Sequence, residues 1–138
     1  MAGWRSEEVA LHKDQRRETT RVLLVEDDPA DAAMVEAFLE EARGDYAVRW
    51  VDSMAATLEQ LEVASYDAAI VDLNLGDARD EQVLRGVLGK VPELPVVVLT
   101  GATDEAYGRA AVRSGAQDFI LKNECSAGVL SRAVDYSI

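Results

Sequence analysis

The stretch that decides the fold is YDAAIVDLNLGD, residues 66–77. Its apolar residues, 68–71 and Leu73, surround a single carboxylate, Asp72. A short, continuous apolar run is typical of a strand that is buried on both faces of a parallel sheet. Burying an ionised carboxylate is costly unless it is paired or bound to a metal. Asp72 therefore either leaves the core where the strand ends or is held there for chemistry.

Four other apolar runs alternate with amphipathic helical patterns along the chain. The predicted strands are residues 21–25, 47–51, 68–73, 96–100 and 117–121. Strands separated by helices predict an α/β fold with a doubly wound parallel sheet, because right-handed crossovers cover both faces. Ser53 predicts a helix start and Gly115 a helix end. Residues 1–20 lie outside this pattern, so we expect an N-terminal arm of unknown role before a single domain at 21–138.

Composition narrows the class of protein. The chain has 14 basic and 26 acidic residues and a formal charge of −12, which argues against a nucleic-acid-binding surface. One cysteine, Cys125, cannot form an internal disulfide and suits a reducing, cytoplasmic compartment. No apolar stretch approaches the roughly 18 residues that a transmembrane helix needs, and residues 1–20 lack the apolar core of a secretory signal.

Polar side chains follow four of the five predicted strands. They are Glu26 and Asp27 after the first, Asp72 after the third, Thr100 after the fourth and Lys122 after the fifth. Each of these residues, taken by itself, is common at the end of a strand. Ligand sites in open α/β sheets, however, form beyond the carboxyl ends of the strands. Clustered carboxylates without His or Cys suit Mg²⁺. A carboxylate beside Mg²⁺ can attack phosphorus to form an aspartyl-phosphate, with a lysine and a hydroxyl stabilising the transferred group.

Four segments, VLLVEDDP, AAIVDLNL, VVVLTG and GAQDFILK, resemble the signature segments of the two-component response-regulator receiver domain. The resemblance covers residues 21–138. It implies a flavodoxin-like (βα)5 fold with strand order 2-1-3-4-5. It also implies a cytoplasmic phosphorelay in bacterial signalling, with a sensor histidine kinase or a histidine phosphotransfer protein as partner. Such a domain is not a conventional enzyme, since it catalyses only its own phosphorylation and dephosphorylation.

Residue by residue, the resemblance makes Asp72 the phosphoacceptor. It implies that Asp27 is a direct Mg²⁺ ligand and that Glu26 contacts the ion through water. The third protein ligand would be the backbone carbonyl of Asn74.

The resemblance also identifies the residues of a conformational switch. Thr100 matches the hydroxyl that follows the phosphoryl group, and Lys122 the lysine that pairs with a phosphoryl oxygen. Phe119 matches the aromatic side chain coupled to the threonine. The output surface would comprise the fourth helix, fifth strand and fifth helix, and a homodimer through the last helix is a hypothesis.

Two segments depart from the family pattern. Asn123 replaces the usual proline after the lysine, so we expect a trans peptide there, since a cis bond before a non-proline residue costs about 2.5–4 kcal/mol. In the loop at 75–81, Gly76 replaces a common proline and Asp80 stands where glycine is typical, which predicts a remodelled loop and third helix.

Two other functions remain open from the sequence. One is a pseudo-receiver that has this fold but is never phosphorylated and serves as a protein-interaction module. The other is a haloacid-dehalogenase-type phosphatase, whose DxD motif Asp72-x-Asn74 loosely imitates. That enzyme class places its nucleophile after the first strand, whereas Asp72 follows the third.

Overall fold

The structure is a computed structural model that describes residues 19–101 and 104–138. Its strands are β1 (Thr19–Val25), β2 (Asp45–Val51), β3 (Ala68–Val71), β4 (Val96–Thr100) and β5 (Asp118–Leu121). Its helices are α1 (Pro29–Glu41), α2 (Met54–Val63), α3 (Glu81–Lys90), α4 (Glu105–Arg113) and α5 (Ala127–Ser137), with one 3-10 turn at Lys122–Glu124. Almost all of the predicted N-terminal arm, residues 1–18, lies outside the described part of the chain.

The five strands form one parallel sheet in the order β2-β1-β3-β4-β5. This confirms the predicted fold class and strand order. The central strands β3 and β4 are buried along their whole length, as their continuous apolar sequences predict. β1 and β2 each begin two residues before the predicted strand, and β3 ends at Val71, so that Asp72 lies just beyond its carboxyl end.

Two apolar cores lie on opposite faces of the sheet, because successive strand residues point to opposite sides. Leu23 and Val25 of β1 face one core, which α2, α3 and α4 cover. Val22 and Leu24 face the other, which α1 and α5 cover. Among the described residues no helix is long and apolar enough to cross a membrane.

Local sequence signals set where the helices begin and end. Asp28 caps α1 by accepting a hydrogen bond from the N–H of Ala30 at 2.9 Å. Ser53 caps α2 as predicted, by accepting one from the N–H of Ala56 at 3.0 Å. Gly115, just after α4, has a φ of 125°, which explains why glycine ends this helix.

Candidate functional site

Three predicted carboxylates meet beyond the carboxyl ends of β1 and β3. These strands are neighbours in register, with Val25 opposite Val71, so Glu26 and Asp72 emerge side by side. Oxygen atoms of Glu26, Asp27 and Asp72 all lie within 4.8 Å of one another. Glu26 and Asp72 are buried, with exposed fractions of 1% and 8%, whereas Asp27 is exposed.

Lys122 reaches into this cluster from the end of β5. Its Nζ lies 3.2 Å from Oδ2 of Asp72 and 3.2 Å from Oε1 of Glu26. It also donates a hydrogen bond of 2.7 Å to Oδ2 of Asp31. Burial disfavours the charged ammonium, but the hydrogen bond to Asp31 and the charges of Asp72 and Glu26 outweigh it, so the pKa of Lys122 is raised above its usual value.

Asp31 is not among the site residues that the sequence predicts. It lies in the first turn of α1, where acids are common because they interact favourably with the helix dipole. The available signal was its position two residues after Pro29, which is typical of the first turn of a helix. Its contact with Lys122 joins residues 91 positions apart, which no local pattern reveals.

Glu26 is the most desolvated charge at the site. Its Oε2 accepts a hydrogen bond from the N–H of Asp28 at 3.1 Å. Its Oε1 accepts no hydrogen bond in the structure, although Lys122 lies within ion-pair distance. Burial raises the pKa of Glu26 to about 8, and the adjacent Asp72 carboxylate acts in the same direction. A second cation beside Oε1, in addition to the Lys122 ammonium, would relieve the electrostatic cost of burying the Glu26 carboxylate.

The predicted switch residues lie on neighbouring strands. Thr100, at the end of β4, is buried and donates a hydrogen bond to the carbonyl of Gly101 at 3.3 Å. Phe119, on β5, is half-buried and packs against the core beneath α4. A Cβ atom on Gly108 of α4 would lie only 2.5 Å from the Phe119 ring. Glycine therefore lets the helix backbone approach this ring closely.

The loop after Asp72 folds into a small hairpin. Asn74 and Arg79 form an isolated antiparallel bridge, flanked by hydrogen bonds from Leu75 N to Ala78 O at 2.9 Å and from Asp80 N to Leu73 O at 2.6 Å. The N–H of Asn74 donates to Oδ1 of Asp72 at 3.0 Å. This loop connects the phosphoacceptor candidate directly to α3.

A cavity of about 270 Å³ opens beside Asp72. Its lining includes Asp72, Asn74, Arg79, Thr100 and Asp104. The Lys122 loop forms a 3-10 turn in which the Lys122–Asn123 peptide is trans, as expected. The predicted residues after β1, β3, β4 and β5 thus surround one site, while Phe119 lies beneath it in the core.

A sequence profile described as the response regulator receiver domain matches residues 22–135. The chain belongs to this family. It is 29% identical to the acid tolerance regulatory protein ActR of Sinorhizobium medicae over 113 residues, which is 82% of this chain and 57% of that protein. The chain thus spans little more than half the length of that relative.

Solved structures agree on the fold of the receiver domain. A response regulator receiver domain protein from Clostridium thermocellum superposes with a TM-score of 0.76 at 23% identity, over 86% of this chain and 94% of that one. The receiver domain of the sensor histidine kinase PA1611 from Pseudomonas aeruginosa superposes with a TM-score of 0.73 at 22% identity, over 86% of this chain and 96% of that one. The latter structure holds a magnesium ion in its active-site cleft.

Family membership defines the class of function. The chain is a receiver domain of two-component signalling, a regulatory module rather than a conventional enzyme. The haloacid-dehalogenase alternative is thereby excluded.

Proposed function

We propose that this receiver domain accepts a phosphoryl group on Asp72 from a phosphohistidine of a partner protein. One observation carries the proposal: Lys122, Glu26 and Asp27 converge on the Asp72 carboxylate, with the ammonium 3.2 Å away. A structural ion pair would need only one acid and one base. Here three acidic side chains lie together, and one of them, Asp72, lines an open cavity, which is the arrangement that Mg²⁺-dependent phosphoryl transfer requires.

The donor set fits Mg²⁺. Carboxylate oxygens are the ligands that this ion prefers, and Oε1 of Glu26 is buried without a hydrogen bond. Asp27 would be the direct ligand together with Asp72, and Glu26 would act through a bound water. When bound, Mg²⁺ neutralises charge that develops on the phosphoryl oxygens.

The hairpin supports the proposed third ligand, the backbone carbonyl of Asn74. The bridge hydrogen bonds are made by the residues flanking Asn74 and Arg79. In such a pair the N–H and C=O of the bridged residue both point outward, away from the partner strand. Since the N–H of Asn74 meets Oδ1 of Asp72, its carbonyl faces the same side of the loop.

The transfer itself needs few groups. A carboxylate oxygen of Asp72 forms the new O–P bond while the bond between phosphorus and the donor's leaving atom breaks. Lys122 is already charged and close, so it can shift from the carboxylates to a phosphoryl oxygen without a proton transfer. Thr100 lines the same cavity and can donate its hydroxyl hydrogen to another phosphoryl oxygen.

Phosphorylation would then change the structure around the edge strand β5. Movement of Thr100 toward the phosphoryl group would free space for Phe119 and shift the population toward a second arrangement of α4, β5 and α5. That surface is the proposed output face, with a homodimer through α5 as one readout. The proposed partner is a cytoplasmic sensor histidine kinase or histidine phosphotransfer protein.

Incubation with Mg²⁺ and acetyl phosphate or a beryllofluoride mimic tests this function. We expect an adduct on the wild-type chain and none on Asp72→Ala. Asp118→Ala is a matched control, because Asp118 is an exposed aspartate at the opposite end of the sheet. Lack of any adduct on the wild-type chain would instead support the pseudo-receiver, a protein-interaction module with this fold.

A further inference from the structure

Arg79 occupies an unusual place in the loop after Asp72. The bridge to Asn74 anchors its backbone, and its Nε donates to Oδ1 of Asn74 at 3.3 Å. Its own N–H donates to Oε1 of Gln82 at 3.3 Å, which ties the residue to the first turn of α3. The side chain lines the same cavity as Asp72 and Thr100. The hairpin thus holds a guanidinium at the mouth of the phosphoacceptor site.

The guanidinium of Arg79 lies in a cavity whose other charges are mostly negative. Among residues 19–101 and 104–138, the other charged side chains that line it are acids: Asp72, Asp80 and Asp104. Lys122 approaches Asp72 from outside this lining and is already shared among three carboxylates. The chain as a whole carries a formal charge of −12. A phosphoryl donor, whose phosphate is itself an anion, therefore meets repulsion in this cavity before it reaches the proposed Mg²⁺ and Lys122 at Asp72. Arg79 is the one base on the described lining that attracts it.

We propose that Arg79 binds the phosphate of the incoming phosphoryl donor and holds it in line with Asp72; this inference rests on the proposed function. The guanidinium has five N–H donors in a planar fork that matches phosphate oxygens. The Nε–H group donates to Asn74, and this hydrogen bond fixes the direction of the fork. The two terminal NH2 groups of Arg79 then remain available for the ligand. Arg79 thereby favours donors that present a dianionic phosphate.

Two small molecules can serve as phosphoryl donors to Asp72 in this reaction. With acetyl phosphate, an Asp72 oxygen bonds to phosphorus as the phosphorus–oxygen bond to the acetyl group breaks and acetate leaves. With phosphoramidate already protonated on its nitrogen, the phosphorus–nitrogen bond breaks and neutral ammonia leaves with the bonding electron pair. Phosphohistidine presents the same phosphorus–nitrogen bond, so phosphoramidate is the closer small-molecule substitute for the protein donor.

Phosphorylation rates of the whole chain with both donors, at fixed Mg²⁺ and low salt, test the proposal. For Arg79→Gln we expect the second-order rate constant to fall about fivefold to tenfold, through weaker donor binding rather than slower transfer at saturation. Arg79→Lys keeps the charge and should recover part of the rate. Because the contact is exposed to solvent, the difference between wild type and Arg79→Gln should shrink as salt rises.

Arg85→Gln is the matched control. Arg85 lies on the exposed face of α3, paired with Glu81, and its loss changes the net charge by the same amount. Equal rates for Arg79→Gln and Arg85→Gln would overturn the proposal, as would a lowered saturating rate with unchanged donor binding. Circular dichroism spectra of the variants check that each one folds. Absence of phosphorylation in the wild type would contradict the proposed function instead, so the two failures are distinguishable.

Discussion

Asp80 holds a backbone conformation that costs an L-amino acid free energy. It has φ 51° and ψ −123°, and it is the one non-glycine residue with positive φ in the described ranges 19–101 and 104–138. Its N–H closes the hairpin by donating to Leu73 O at 2.6 Å, while its side chain makes no capping hydrogen bond to α3. The sequence marks Asp80 as unusual because receiver domains typically have glycine there. The structure supplies the physical reason for that glycine.

We expect Asp80→Gly to stabilise the domain by about 1 kcal/mol. Relief of strain of about 1–3 kcal/mol exceeds the roughly 0.5–1 kcal/mol that glycine costs through the greater entropy of the unfolded chain. Urea unfolding measures the difference. Asp52→Gly, at an exposed loop position without positive φ, should destabilise by up to about 1 kcal/mol. If both variants lose stability equally, Asp80 is not strained.

At the scale of elements, one carboxylate joins the hairpin loop to α2. Asp77 accepts hydrogen bonds from the N–H groups of Met54 at 2.8 Å and Ala55 at 3.1 Å. With Ser53 bonded to the next N–H, two side chains satisfy three of the first-turn donors of α2. These hydrogen bonds lower the pKa of Asp77. The remodelled loop that the sequence predicts is thus anchored to a neighbouring helix.

We expect Asp77→Asn to lower the melting temperature at pH 7. The folded-state pKa of Asp77 is lowered, so its carboxylate stabilises the fold above its unfolded pKa, and this stabilisation is lost as pH falls through the folded pKa. The difference in melting temperature between wild type and variant should therefore disappear at acidic pH. Thermal unfolding from pH 7 down to pH 3 measures it. Glu59→Gln removes the same charge from the exposed face of α2 and should leave no such pH-dependent gap.

Across the whole molecule, the site concentrates like charges where β1, β3, β5 and α1 meet. Four carboxylates face one ammonium there: Glu26, Asp27, Asp31 and Asp72 against Lys122. Their repulsion works against the docking of these elements on one another. A Mg²⁺ ion bound at this cluster would therefore serve both the proposed phosphoryl transfer and the stability of the fold.

We expect Mg²⁺ to raise the free energy of unfolding. A ligand at ten times its dissociation constant adds about 1.4 kcal/mol, since it binds the folded chain alone. Chelation should reverse the gain. Asp27→Asn should abolish it without unfolding the chain, because Asp27 is exposed. Chemical denaturation with and without Mg²⁺, against sodium chloride of equal ionic strength, measures the effect. An equal gain from sodium chloride would mean general screening rather than a bound ion.

The sequence by itself determined the strands, their alternation with helices and the residues at their carboxyl ends, because burial on a parallel sheet imposes a pattern readable over a few residues. The sequence therefore predicts that Asp72 and Lys122 lie near each other, and their side chains are 3.2 Å apart. Only the tertiary structure decided that Asp31 shares Lys122 and that Arg79 lines the cavity beside Asp72. It likewise decided that Asp77 caps α2. These contacts join distant or loop residues, and their geometry depends on the path of each loop and on side-chain direction, which leave no periodic signal in the sequence.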